Sequence, residues 1–409
     1  MPFGSLALLL IGIGALLGAP ALLVIGLVLG VVEVLKNLWR QRGLVGVRYE
    51  RELGTTSAVW GDEIPLKMTI WNRKLLPLAW ITVEELVSEG VVVKERPTDE
   101  SDRPGFGLIR NGWTLGPYER VERTHHIVAA KRGRYRMGPV RLKVSDLFAG
   151  GSQLEERELP AAYLVAPRSV AVRGAENRFR VATGDRPTTG FVEDPALFAG
   201  LRPYQPGDSM RHIHWKAAAR TGQIRSKRFD SSREREMVIA LDIQTLPGSY
   251  WKMVYDEDLV EALCVAAASI ARDAIRAGTA CGLVAAAFSE SIEWQMRVPP
   301  ARGPAQFLRI GNALARLSPF ASGPFDGLLA GLPRWLARPA TIIIVSGRDP
   351  SPYLHAMRRL ARHGQIVKHV AFGPDAAASR DRVARTGIRA QVGRMSPDWQ
   401  RTDALDLAG

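Results

Sequence analysis

The sequence predicts a multi-domain chain: an N-terminal transmembrane segment, a β-sandwich-like all-β domain, then an α/β doubly wound domain. Three observations carry that expectation. Residues 5–35 are almost continuously apolar, with Glu33 the only charge. Between about residues 44 and 170 the apolar pattern has a period of two. From about residue 237, short apolar runs alternate with amphipathic helical stripes. The expected divisions are residues 1–43, 44–170, a basic linker over 171–236, the α/β domain over 237–390, and a tail over 391–409.

The N-terminal run is too long and too apolar for a surface helix of a soluble protein. No basic residue precedes it, and it exceeds the apolar region of a secretory signal. Gly18, Ala19 and Pro20 interrupt it near the middle, so it reads as one long tilted span or as a tight hairpin of two short ones. Each half of a hairpin has about 14–16 residues, below the ~20 of a full span. Lys36, Arg40 and Arg42 follow directly. The positive-inside rule then puts the side after residue 35 in the cytoplasm. The expected location is the cell (inner) membrane, with the soluble domains cytoplasmic and these cations against anionic lipid head groups. Two cysteines, Cys264 and Cys281, lie in apolar segments without a C-x-x-C spacing, which reads as buried free thiols in a reducing compartment.

In the β region Ile64, Leu66, Met68 and Ile70 alternate with polar positions, as do Val140, Leu142 and Val144. Residues 80–87, 91–94, 121–130 and 161–166 are further strand candidates. Turn-rich loops separate them, notably Asn72-Arg73 and residues 98–107. A scaffold or docking role fits this region. His125 and His126 are adjacent in a strand pattern, so their rings point to opposite faces and cannot chelate together.

In the α/β region residues 237–241 read as a strand buried on both faces. Asp256 or Asp258 opens a helix with Leu259, Leu263, Ala266, Ile270 and Ala274 on one stripe, and Gly278 stops it. Residues 281–288, 341–345 and 365–372 are further buried strands. Phe307, Ile310, Leu314 and Leu317 mark a helix between them, and Ser351-Pro352 opens another that Gly364 closes. A parallel sheet follows, with ligands expected at the carboxyl ends of its strands, where Asp242 and residues 346–349 would lie.

The densest mixture of aromatics, turn formers and cations falls in residues 201–242. Pro206-Gly207-Asp208 reads as a tight turn, with Asp208 capping a short helix over 209–220 that places Arg211 and Trp215 on one face. Over residues 201–236 there are nine Lys/Arg against four Asp/Glu, a local net of +5 within a chain total of +14. A basic excess suits nucleic acid, an anionic membrane or an acidic protein. One ring pair, Tyr204 and Trp215, is a poor stacking platform, so no nucleic acid is expected. These rings could equally lock the two regions together, with Arg211 and Arg220 paired to Asp208 and Asp230. That fold-stabilising role and a binding role stay open side by side.

The run Arg202, Tyr204, Pro206, Gly207, Asp208, Arg211, Ile213, Trp215, Lys216, Ala219, Arg220 and Lys227 resembles the signature of the bacterial family called domain of unknown function 58. Arg132-Gly133-Arg134-Tyr135, Gly138-Pro139-Val140 and residues 163–167 agree with it, so the likeness covers most of the chain. One departure is Ser145 to Gly150, where the family has an Asp-Pro-Phe-Gly-Leu-like turn. The resemblance implies the hairpin reading of the N-terminus and a partner, since such proteins commonly accompany MoxR-type AAA+ ATPases. The expected function is a non-enzymatic, membrane-anchored adaptor, working with such an ATPase in the assembly or activation of other proteins. Its interaction motif would be the residues just given, without Ala219.

The element order and the strand-end aspartate look like a von Willebrand factor type A domain. That family holds a divalent cation through Asp-x-Ser-x-Ser. Here the stretch is Asp242-Ile243-Gln244-Thr245-Leu246, so both hydroxyl positions are lost. One carboxylate and a Gln carbonyl are a poor set for Mg²⁺. No cofactor is expected, and Asp242 reads as a buried cap or salt-bridge partner. The alternative is a metal-dependent hydrolase built on Asp208, His212, His214 and Asp242. On a helix His212 and His214 do not face each other, whereas on a strand they would. Ser209 near His212 lacks the context of a nucleophile elbow.

Overall fold

The computed structural model describes residues 3–145, 152–174, 198–205, 210–229, 236–248, 250–252, 254–289, 295–336, 339–395 and 403–408. It divides into two compact units, Met1–Pro167 and Arg168–Gly409.

The first unit opens with two apolar helices, α1 (Phe3–Leu17) and α2 (Pro20–Arg42). Gly18, at φ 60°, and Ala19 form the turn between them, and Ala19 N–H donates to the Gly14 carbonyl at 2.9 Å. Proline at the first position of α2 suits the helix start, where an N–H has no partner anyway. At 1.5 Å per residue α1 is about 22 Å long and α2 about 35 Å. Among the described residues one stretch, Pro20–Trp39, is long and apolar enough to cross a membrane, while Gly4–Leu17 is shorter. Leu8, Leu16, Val24 and Leu27 on the two helices are exposed.

Strands β1 (Val47–Leu53), β2 (Ser57–Val59), β3 (Glu63–Asn72), β4 (Leu78–Ser88), β5 (Val92–Val93), β6 (Asp99–Glu100), β7 (Phe106–Leu115), β8 (Arg120–Val128), β9 (Gly133–Ser145), β10 (Ser152–Arg157) and β11 (Ala161–Ala166) follow. They form a four-stranded sheet in the order β1-β3-β8-β5 and a seven-stranded one in the order β2-β11-β9-β4-β7-β6, with β10 on β9. Ile64, Leu66, Met68 and Ile70 are all fully buried, as their alternation requires, and share one core with Ile81, Val83, Val140 and Leu142 of the other sheet. His125 is buried, its Nε2 2.9 Å from Asn111 Oδ1, while His126 is half-buried beside Glu95. The two rings thus part to opposite faces as the strand geometry demands. Strand β7 was not expected from the pattern, because Gly107, Asn111 and Gly112 break its alternation. Asn111 is nevertheless buried, and its Oδ1 accepts from Arg123 at 2.9 Å.

The second unit is built on β12 (Ala171–Arg173), β13 (Phe198–Pro203), β14 (Arg225–Phe229), β15 (Glu236–Asp242), β16 (Cys281–Ala285), β17 (Ala287–Ser289), β18 (Met296–Ala301), β19 (Leu317–Ala321), β20 (Ala340–Ser346), β21 (Ile366–Ala371), β22 (Arg389–Arg394) and β23 (Ala404–Ala408). Its helices are α3 (Trp215–Thr221), α4 (Glu257–Arg276), α5 (Pro304–Arg316), α6 (Phe325–Trp335), α7 (Leu354–Arg362) and α8 (Ala376–Ala384). Eight strands form one sheet in the order β12-β23-β22-β21-β20-β15-β16-β18. The middle is parallel, β16-β15-β20-β21-β22, but β18 and β23 pair antiparallel with their neighbours. The sheet is therefore mixed rather than wholly parallel. Residues 391–409, expected as a tail, supply most of β22 and all of β23.

Alternate residues of β15 feed opposite faces. Met237, Ile239 and Leu241 pack with α4 and α5, whereas Val238 and Ala240 pack with α6 and α7. That is why the strand reads as an unbroken apolar run. Asp256 caps α4 by accepting from Leu259 N–H at 3.1 Å. Cys264 and Cys281 are buried free thiols, and burial pushes the Cys281 thiol up to about 12.

Candidate functional site

Strand β15 has β16 on one side and β20 on the other, so the connections turn in opposite directions from it. In open α/β sheets, ligands gather in the crevice at the carboxyl ends of strands at such a switch. Asp242 and Ser346, directly opposite in register, end β15 and β20 at this point.

The crevice is closed by the chain's own groups. Arg348 Nε donates to Asp242 Oδ2 at 2.8 Å, and Ser346 Oγ donates to the same oxygen at 3.1 Å. Gln244 N–H donates to Asp242 Oδ1 at 3.3 Å. Asp242 is 3% exposed. Burial pushes its carboxyl above the ordinary range, opposed by the Arg348 charge and these hydrogen bonds. The Arg348 guanidinium carbon lies 5.5 Å from the centre of the Tyr353 ring. Tyr353 in turn is fully buried, its hydroxyl 3.2 Å from His369 Nε2. Burial holds the His369 ring down to about 4.

A divalent cation of the kind the type A resemblance implies does not fit these residues. A guanidinium already stands against the one carboxylate. Gln244 Nε2 donates to the Gly248 carbonyl at 2.6 Å, and Thr245 Oγ1 accepts from Asp256 N–H at 2.8 Å. Both side chains thus hold the loop and the α4 cap instead of facing a metal. Beside the crevice lies a cavity of about 280 Å³, lined by Leu246, Pro247, Lys252, Val254, Tyr255 and Phe320 among others. Tyr255 and Phe320 meet edge to face at 5.1 Å, so the walls are mainly apolar.

The signature segment forms a separate small element. β13 and β14 pair antiparallel, Arg202 opposite Ser226 and Pro203 opposite Arg225. Between them the chain makes a 3-10 turn, Met210–His212, and the helix α3. Ile213 bridges to Ser226, and His214 N–H donates to the Arg225 carbonyl at 2.9 Å. The expected continuous helix over 209–220 is therefore broken at Ile213, because the backbone there pairs with β14. The α3 cap is His214, whose Nδ1 accepts from Ala217 N–H at 3.1 Å. Pro206, Gly207, Asp208 and Asp230, with the side chain of Arg211, lie outside the described residues, as do residues 146–150 of the departing turn.

Of the motif side chains, Ile213 is buried at 4% exposure and holds the element together. Trp215 is 61% exposed, Tyr204 37%, and Lys216 and Arg220 are exposed beside them. Arg202 and Lys227 are half-buried on the two strands. Met210 and Ile224 add further exposed apolar surface. Between Phe198 and Phe229 the sequence holds seven Lys/Arg and one Asp. Of the four hydrolase candidates, His214 is engaged as a helix cap and Asp242 in the Arg348 pair. Among the described residues, no group of three or more His, Cys, Asp or Glu could hold a metal. Arg348 was visible in sequence only as a loop residue after an apolar strand. Tyr353 and His369 gave no signal beyond their place in core segments.

Residues 200–372 match the family model described as "Protein of unknown function DUF58". "Uncharacterized protein YeaD" of Bacillus subtilis (strain 168) is 21% identical over 359 residues, covering 84% of this chain and 82% of its own length. The CARDB domain of the PF1109 protein from Pyrococcus furiosus aligns with 29% of this chain and 86% of its own, at 14% identity and a TM-score of 0.21. Spo0M, a sporulation control protein from Bacillus subtilis, aligns with 29% and 49% at 11% identity and a TM-score of 0.19.

Proposed function

We propose that this chain is a membrane-anchored adaptor whose β13–α3–β14 element docks an acidic protein surface. The observation that carries it is the joint exposure of Trp215, Tyr204, Lys216 and Arg220 on a backbone fixed by strand pairing and a helix cap. Exposed aromatics supply buried area on binding, and the surrounding cations select and steer an acidic partner. Docking needs no metal in this reading, since the docking element carries its own exposed cations, Lys216 and Arg220. We read the paired β-sheets of the first unit as a sandwich scaffold and the second unit as a type A-like adaptor domain. The helix α2 serves as the membrane span, with the β-sheets that follow it and the second unit on the cytoplasmic side.

The family resemblance makes a MoxR-type AAA+ ATPase the partner to test. The full-length chain, purified in detergent, should retain such an ATPase on affinity resin. A Lys216→Glu/Arg220→Glu variant with an unchanged melting curve should lose it. Equal retention by the folded variant would remove the docking role from this element.

A further inference from the structure

The end of α2 is tied into the first unit by several independent bonds. Trp39 is 8% exposed, and its Nε1 donates to the Pro77 carbonyl at 2.9 Å. Lys74 Nζ donates to the carbonyls of Arg42 at 3.0 Å and Val45 at 2.8 Å, and to that of Gly43. These lie where a helix end leaves carbonyls without intrahelical partners and favours a cation. Leu44 N–H donates to Gln153 Oε1 at 3.0 Å. At Gly43 a Cβ would fall 2.6 Å from the Trp39 carbonyl and 3.2 Å from Val144, so the close approach requires glycine.

Large apolar side chains stand in solvent around this joint. Leu75 is 73% exposed, Tyr118 65% and Val45 60%. Leu75 sits in the loop that clamps the helix, and Tyr118 N–H donates to the Lys74 carbonyl at 3.2 Å, tying the 116–119 turn to the same loop. Behind them a row crosses the outer face of β1, β3 and β8, with Arg48 opposite Trp71 and Trp71 opposite Arg120. The Arg73 guanidinium lies 4.5 Å from the Trp71 ring centre. The row lines a hollow of about 140 Å³ together with Glu50 and Thr69. Arg48 pairs with Glu50 at 2.6 Å and Arg120 with Glu122 at 2.7 Å, all of them exposed. Exposed pairs of this kind contribute little, so a phosphate can take either guanidinium at small cost.

We infer that Val45, Leu75 and Tyr118, backed by the Arg48–Trp71–Arg120 row, form an interfacial contact seated in the anionic headgroup layer of the bilayer that α2 crosses. The inference rests on the reading of α2 as a membrane span. Position sets the occupant: Arg48 lies six residues beyond the end of α2 at Arg42, and the two loops flank that end. A span places this level at the membrane interface, where aromatic residues concentrate and arginines meet lipid phosphate. The contact would fix the angle at which the first unit leaves the membrane.

The test uses full-length protein in nanodiscs, spin-labelled at Leu75→Cys, Tyr118→Cys or, as the span reporter, Val28→Cys. Cys264 and Cys281 are fully buried and leave the labelling selective. Accessibility to oxygen and to a water-soluble nickel chelate gives the depth of each label. The expected result is lipid depth at position 28 and headgroup depth at positions 75 and 118, deeper with phosphatidylglycerol than with phosphatidylcholine alone. Arg48→Gln/Arg120→Gln should erase that lipid difference. Lipid depth at 28 with bulk-water values at 75 and 118 would overturn the contact and spare the span. Water at all three positions would overturn both. Headgroup depth that ignores lipid charge would overturn the anionic partner.

Discussion

Arg348 Nε stands 2.8 Å from Asp242 Oδ2 at the carboxyl ends of two adjacent parallel strands. The pair fills the crevice where a doubly wound sheet ordinarily takes a ligand. Its cation is covalently part of the chain, so the strand-end charge is neutralised with no ion supplied from outside.

Arg348→Ala should be costly. It leaves the buried Asp242 carboxylate without its counter-charge, an uncompensated burial worth about 3–5 kcal/mol. Thermal or urea unfolding of the second unit would report the loss. Asp242→Asn added to Arg348→Ala should recover part of it by removing the stranded charge. Chelator should leave the wild-type melting curve unmoved, and a drop on chelation would mean that a metal contributes to this site.

Acidification should weaken the fold through His369. Burial holds its ring down to about 4 against an ordinary 6.5. Below 6.5 the unfolded chain binds a proton that the folded one refuses. Stability present above 6.5 is therefore lost as pH falls through that window toward 4, by on the order of 3 kcal/mol. His369→Gln should flatten the melting temperature between pH 7 and pH 5. An unchanged slope in that variant would assign the pH dependence elsewhere.

The cap on α3 is a local test of the docking element. His214→Ala removes the side-chain acceptor for Ala217 N–H and should destabilise the seven-residue helix by about 1 kcal/mol. His214→Asn should keep it, since asparagine caps well. Hydrogen exchange over residues 215–221 separates the two, with faster exchange in the alanine variant only. Equal exchange in both would show that pairing at Ile213 alone orders the segment.

The strong local signals translated directly into structure. Alternation gave the buried face of β3, the unbroken apolar run of β15 gave a two-faced strand, and Asp256 gave the α4 cap. The residues were less legible where a distant partner decides the outcome. No spacing rule says that Ile213 pairs with Ser226, so the segment over 209–220 read as one helix and His214 went unseen as a cap. Residues 391–409 looked like a tail because their strands gain partners only from β12 and β21. Asp242 was legible as a salt-bridge candidate, but its mate depended on which loop the sheet order brings beside it.

The most direct test of metal-free docking is a calorimetric titration of the full-length chain with a MoxR-type AAA+ ATPase in chelator-treated buffer at low and moderate salt. The account predicts binding without divalent metal, weakening as salt rises, and roughly tenfold or more weaker for the folded Lys216→Glu/Arg220→Glu variant. Binding that appears only when Mg²⁺ is restored, or that ignores the charge reversal, would contradict it.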